Sequence, residues 1–232
     1  MNKDRALHDY DAIQNTLELH LHSILDIVKT SGAELEGNSI YAHQTFNRVD
    51  ILYTKQLNLF GIMMPSITNI CEIGFNAGHS ALLMLLGAKG PINLTVFDIC
   101  EHPYTHPTYQ YLRDTFPTCT MSLIEGDSTV TIPQWLSDNP HRLGSFDLIH
   151  VDGGHSEPCI RNDLANAVKL LKLGGLMIVD DTNVSYINQY VDDLVERGLF
   201  QEYPVFPTQG YPHRVLQSRL KGDISPFRNP LP

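Results

Sequence analysis

The sequence predicts a doubly wound α/β protein: a seven-stranded, mostly parallel sheet with an antiparallel final strand, plus an N-terminal helical cap. Three observations predict it. From Asn69 onward, strand-length apolar runs alternate with helix-length amphipathic segments, the pattern of βα units joined by right-handed crossovers. The strand candidates are near-continuously apolar, as strands covered on both faces are. The stretch Asn69-Ile-Cys-Glu-Ile-Gly-Phe-Asn-Ala-Gly-His-Ser80 reads as a buried strand, a glycine-bearing turn and a helix start.

In chain order, residues 5–30 read as a helix, because Leu17, Leu21, Ile24, Leu25 and Val28 recur at helical spacing and Ser31-Gly32 stops it. His20 and His22, two apart, point to different faces, which speaks against a metal pair. Residues 33–43 hold Gly37, Asn38 and Ser39 and read as a loop. A second helix is expected over 44–63, with Phe46, Val49, Leu52, Leu57 and Phe60 as its stripe. Residues 1–65 therefore form the cap, read as a cover over the site, a homodimer surface, or both. Tyr41, His43, Asn47 and Arg48 are its candidates for facing a substrate.

The core is read as residues 66–220. Its first five strands are expected at 69–75, 93–99, 120–125, 146–152 and 176–181. Its helices are expected at 79–87, 105–115, 131–138, 157–173 and 184–198. The 157–173 helix has Ser156 as N-cap, Pro158 in its first turn and Gly174-Gly175 as its stop. Phe200–Phe206 and His213–Arg219 read as an antiparallel hairpin around Pro207-Thr-Gln-Gly210. Residues 221–232, with three prolines and no periodicity, read as an irregular tail.

The whole chain bounds the function. Its 232 residues suit one α/β domain with a small extension. A formal net charge of −10 argues against a nucleic-acid surface. No apolar run approaches the length of a membrane span, and the first residues show no signal-peptide pattern. Cys71, Cys100, Cys119 and Cys159 are widely spaced, with no C-x-x-C pair, so a reducing cytoplasm is the simplest setting. The expected partner is a small molecule, not a nucleic acid or a membrane.

Ligands of an open parallel sheet bind beyond the carboxyl ends of its strands. The first strand ends in Glu72, Gly74 and Gly78, spaced E-x-G-x-x-x-G rather than G-x-G-x-x-G. An acid there repels a pyrophosphate and suits S-adenosylmethionine, which carries a sulfonium and an ammonium. The second ends in Asp98, whose two oxygens can accept both ribose hydroxyls. The third ends in Glu125-Gly-Asp-Ser128, where Asp127 can accept from the adenine amine and Ser128 can contact the ring. The fourth and fifth end in His150-Val-Asp-Gly-Gly-His155 and Val179-Asp-Asp-Thr-Asn183. Were these strands neighbours, Asp152, Asp180 and Asp181 would converge within about 5 Å. Three such carboxylates call for a cation, and hard oxygen ligands suggest Mg²⁺ or a similar ion. It would chelate adjacent substrate hydroxyls and lower their pKa. His155, three residues past Asp152, titrates in the range of a general base. The plainer alternatives are that each acid forms a turn or caps a helix, and that His155 is a turn histidine.

The Asn69–Ser80 stretch resembles motif I of the class I S-adenosylmethionine-dependent methyltransferases. Residues 66–220 resemble the catechol O-methyltransferase-like branch, and more closely the macrocin-type sugar O-methyltransferases. The resemblance implies a Rossmann-like fold and methyl transfer to a sugar, diol or phenol hydroxyl. It implies a metal on Asp152 and on Asp180-Asp181, ribose on Asp98 and adenine contacts on Asp127-Ser128. Glu72, Gly74, Asn76, Gly78 and Ser80 complete the cofactor set, Ser80 at the methionine portion. Asp152 and His155 are the expected catalytic residues. Three departures from the catechol enzyme speak against catechol itself: His155 replaces a lysine base, Asp181 an asparagine ligand, and Asp98 a glutamate. The rivals are a metal-independent N- or O-methyltransferase using His155 and a non-catalytic cofactor-binding protein. Gly154-His155-Ser156-Glu157-Pro158 lacks the second glycine of a hydrolase nucleophile elbow.

Overall fold

The computed structural model describes residues 1–41, 46–63, 66–208 and 212–219. Its centre is β1 (Asn69–Ile73), buried from Ile70 onward. Around it lie β2 (Asn93–Asp98), β3 (Thr120–Glu125), β4 (Phe146–Val151), β5 (Leu171–Val179), β6 (Phe200–Glu202) and β7 (Arg214–Ser218), in the order β3-β2-β1-β4-β5-β7-β6. Only β7 runs against its neighbours. The strand order reverses between β1 and β4, which places the ligand crevice of such a sheet above these two strands. At their opposite ends Asp147 Oδ2 accepts from the amides of Thr68 and Asn69, both at 2.8 Å, and so ties β4 to the start of β1.

Side chains alternate across the sheet with a period of two. Ile70, Leu94, Val96, Leu148, Leu176 and Ile178 pack on one face, with α1 (Lys3–Ala12), α2 (Gln14–Ser31), α3 (Tyr53–Gly61), α4 (His79–Gly87) and α5 (Thr105–Thr115). Cys71, Ile73, Phe97, Ile149, Val151 and Met177 pack on the other, with α6 (Ser128–Asp138), α7 (Glu157–Leu170) and α8 (Ser185–Glu196). The N-terminal helices thus share one apolar cluster with the sheet. No helix among the described residues is long and apolar enough to cross a membrane.

The structure corrects several expected boundaries. The helix over 5–30 is two helices, broken at Ile13, where the Gln14 side-chain amide donates to Tyr10 O at 3.0 Å. The helix over 44–63 begins only at a 3-10 turn, Asp50–Leu52. Ahead of it Arg48 is bridged to Tyr41, and its guanidinium reaches Glu18 and Gln56, which holds this segment extended. Gly174-Gly175 does not stop α7, which ends at Leu170. Both glycines lie inside β5, where its register with β4 shifts, a place where glycine suits a bulge. Ser156 precedes α7 but makes no side-chain cap bond. Asp127 does cap α6, which starts at Ser128 rather than 131. His43, the tip of the expected hairpin and the expected tail lie outside the described residues.

Candidate active site

A cavity of about 1080 Å³ opens above the carboxyl ends of β1 to β5. The segment 36–41 and Lys55 of α3 wall it from the other side. Of the residues picked from sequence, Gly74, Asn76, Ser80, Asp98, Asp127, Ser128, Asp152, His155, Asp180 and Asp181 line it. Glu72 and Gly78 do not.

The glycine turn is held by close approach. Gly74 has φ +90°, and a Cβ there would stand 2.0 Å from the Asp152 carbonyl oxygen. Gly78 has φ +78° and packs so tightly on Phe75 that a Cβ would reach the ring at 2.6 Å. It shapes the turn from beneath the cavity. Asp98 closes the turn: its Oδ2 accepts from the amides of Phe75 at 2.7 Å and Asn76 at 2.9 Å, its Oδ1 from Cys100 N at 2.6 Å. A carboxylate has about four acceptor sites, so room for one more donor remains, not for two ribose hydroxyls on free oxygens. Asn76 Nδ2 donates to Gly37 O at 2.7 Å, which ties the turn to the segment above the cavity.

Glu72 is fully buried under the cavity floor. Its Oε1 accepts from Ser80 Oγ at 2.5 Å and from His150 Nδ1 at 3.1 Å, while Oε2 has no partner. Glu72 thus acts on the cavity through Ser80. His150 is its register partner on β4. Burial disfavours the imidazolium, but the Glu72 bond and the Asp152 and Asp180 charges outweigh it and raise the pKa. After β3, Asp127 Oδ1 accepts from Thr129 N at 2.9 Å and Thr129 Oγ1 at 2.7 Å, which lowers its pKa.

The ends of β4 and β5 do bring the three aspartates together. Asp152, His155 and Asp181 offer ligand atoms within 4.8 Å of one another, and so do His150, Asp152 and Asp180. Asp180 is 4% exposed and forms an ion pair with Lys55 Nζ, itself 5% exposed. Burial disfavours the Lys55 charge, yet Asp180 and Asp152 hold its pKa above the usual lysine value. Asp181, at φ +51°, has Oδ2 2.8 Å from His155 Nε2. That bond raises the His155 pKa. Asp152 has only the more distant His150 Nε2, 3.9 Å from its Oδ2. Burial and the Asp180 charge push its carboxyl well above the usual range. Lys55 and His150 escaped the sequence reading. A histidine set among the apolar Leu148, Ile149 and Val151 was the one visible signal; Lys55 had none. Arg48 points to Glu18 and Gln56 and does not line the cavity.

Residues 71–182 match a family model described as a methyltransferase domain. Solved structures similar to this chain include a putative O-methyltransferase from Klebsiella pneumoniae, with 16% identity and a TM-score of 0.59, covering 86% of this chain and 89% of that one. An O-methyltransferase from Bacillus cereus in complex with SAH has 13% identity and a TM-score of 0.59, with 86% and 90% covered. The O-methyltransferase TomG from Streptomyces achromogenes, involved in tomaymycin synthesis and bound to SAM, has 16% identity and a TM-score of 0.59, with 86% and 88% covered. At these identities the likeness establishes the fold, a seven-stranded Rossmann-like methyltransferase sheet. No curated protein matches the chain significantly.

Proposed function

We propose that this protein is an S-adenosylmethionine-dependent O-methyltransferase acting on a hydroxyl of a small molecule such as a sugar, diol or phenol. The observation that carries the reading is one cavity lined by two unlike groups of residues: the glycine turn, Ser80, Asp98 and Ser128, and beside them Lys55, Asp152, His155, Asp180 and Asp181. Its volume has room for a nucleoside-sized cofactor and a small acceptor together.

The acceptor oxygen attacks the methyl carbon in line with the sulfonium. The O–C bond forms, the C–S electron pair returns to sulfur, and S-adenosylhomocysteine leaves. The hydroxyl proton goes to His155. With Nε2–H donating to Asp181, the free lone pair of neutral His155 is on Nδ1, and Asp181 stabilises the imidazolium that results. Holding the two reactants at contact distance lowers the barrier further.

A divalent ion on Asp152, Asp180 and Asp181 would add Lewis-acid activation of the acceptor oxygen. The oxygen donors suit Mg²⁺ in kind. Their pairing does not: Asp180 already holds Lys55, and Asp181 holds His155. The trio is therefore not the unclaimed set such an ion needs, and this favours the metal-independent reading of the same chemistry. His155→Ala tests the enzyme reading against a merely cofactor-binding protein. Calorimetry should find S-adenosylhomocysteine affinity kept, while methyl transfer to a panel of sugar and catechol diols falls roughly 10²–10⁴-fold. Absence of cofactor binding by the unaltered protein, or unchanged turnover in the variant, would overturn the proposal.

A further inference from the structure

The acid cluster already contains a cation. Lys55 reaches it from α3, and the chain separates Lys55 from Asp180 by 125 positions. An ammonium has three N–H donors. Among the described residues, its one hydrogen-bond partner is Asp180 Oδ2. Lys55 and Asp180 both line the cavity, and Asp180 Oδ1 is buried without a partner. A charged donor with spare N–H bonds thus stands beside a bare acceptor oxygen. A hydroxyl group fits that pair, because its oxygen accepts while its hydrogen donates.

The pair is also built to last. Asn58, one turn further along α3, clasps the chain between β6 and β7: its Nδ2 donates to Phe206 O at 2.8 Å and its Oδ1 accepts from Phe206 N at 2.9 Å. Thr182, next to the acid pair, bonds through its amide to Pro212 O at 2.9 Å and through Oγ1 at 3.0 Å. The helix bearing the lysine and the loop bearing the aspartate are so fastened to the same connection.

We propose that Lys55 is the resident cation of this cluster: its ammonium stands where a divalent ion would, and it holds the acceptor's hydroxyl oxygen for methyl transfer. The inference rests on the O-methyltransferase reading of the site. In the transfer step Lys55 keeps its proton. It steadies the oxygen as the O–C bond forms, the C–S pair returns to sulfur and the hydroxyl proton passes to His155.

The test is a Mn²⁺ titration of EDTA-stripped protein, followed by electron paramagnetic resonance, on the unaltered chain, Lys55→Arg and Lys55→Met. The unaltered chain and Lys55→Arg should show no site tighter than about millimolar. Lys55→Met releases Asp180 and removes a repelling charge, and should bind Mn²⁺ at least about tenfold more tightly. Micromolar Mn²⁺ binding by the unaltered chain overturns the proposal, and this arm stands even if Lys55→Met does not fold. A folded Lys55→Met that binds no more tightly than the unaltered chain overturns it as well. Calorimetry with S-adenosylhomocysteine on the same samples keeps the two readings apart. Failure of the unaltered chain to bind it sinks the methyltransferase reading, whatever the metal result.

Discussion

Replacing Asp98 by asparagine separates two roles of one carboxylate. Asp98 accepts three backbone amides, from Phe75, Asn76 and Cys100, at 2.7, 2.9 and 2.6 Å. Asparagine keeps one acceptor oxygen and turns the other into a donor. With its oxygen toward Phe75 and Asn76, its NH₂ group meets the Cys100 N–H, which loses its acceptor. An amide left this way costs about 1–3 kcal/mol. Asp98 is half-buried, so water restores part of that, and about 2 kcal/mol is the expected loss. For a chain of this length that is a fall in melting temperature of about 4–8 °C. The fall should appear in the protein without cofactor, read by calorimetry, alongside weaker S-adenosylhomocysteine binding. An Asp98→Asn protein that melts within about 1 °C of the original while cofactor affinity drops about tenfold would refute the reasoning. The carboxylate would then serve the ligand alone.

Gly74→Ala puts a methyl group 2.0 Å from a backbone carbonyl that cannot swing away, at φ +90°. It should cost about 1–3 kcal/mol or more and weaken cofactor binding; urea unfolding and calorimetry unchanged from the original would contradict the close approach. Asp163 is buried behind Gly153 and its carboxyl is pushed up to about 6 by burial, from an ordinary 3.8. A raised acid costs the folded state nothing below the ordinary value of 3.8, and the penalty grows as pH rises from there to about 6 and is full above it, so Asp163→Asn should gain about 3 kcal/mol above that pH and little near pH 4, in urea unfolding at both ends. His79 runs the other way: burial lowers it to about 4 from 6.5, so the unfolded chain takes up a proton first and stability falls as pH drops through that window. His79→Leu should flatten this acid limb, and an unchanged limb would count against burial as its cause.

The sheet was legible because its signals are local. Helices at 79–87 and 105–115 start and stop where the apolar pattern and its flanks say, and β1 to β4 follow apolar runs. The errors fall where another part of the chain competes for the backbone. Gln14 takes the Tyr10 carbonyl with its side chain, and helix 5–30 breaks there. Arg48 is bridged to Tyr41, and a segment with a helical stripe stays extended. Gly174-Gly175 looks like a helix stop in isolation. Pairing with β4 makes it a bulge instead.

The site divides along the same line. Asp152, Asp180 and Asp181 converge because adjacent parallel strands end at one level, so their meeting followed from element order alone. What neutralises them did not. Lys55 lies 125 positions from Asp180, on a helix whose stripe gives no hint that a lysine faces inward. Three acids without a visible partner point to a metal, and a buried lysine supplied by tertiary packing changes the inference. Glu72 makes the same point. Its position at the strand end was legible, but the even-numbered side of β1 faces α4, so the carboxylate meets Ser80 and His150 rather than the cavity. Sequence order places a functional group at the right end of the sheet. Which atoms it touches is set by helices packed over that end, and those contacts decide whether the acids serve an ion, a lysine or the backbone of a turn.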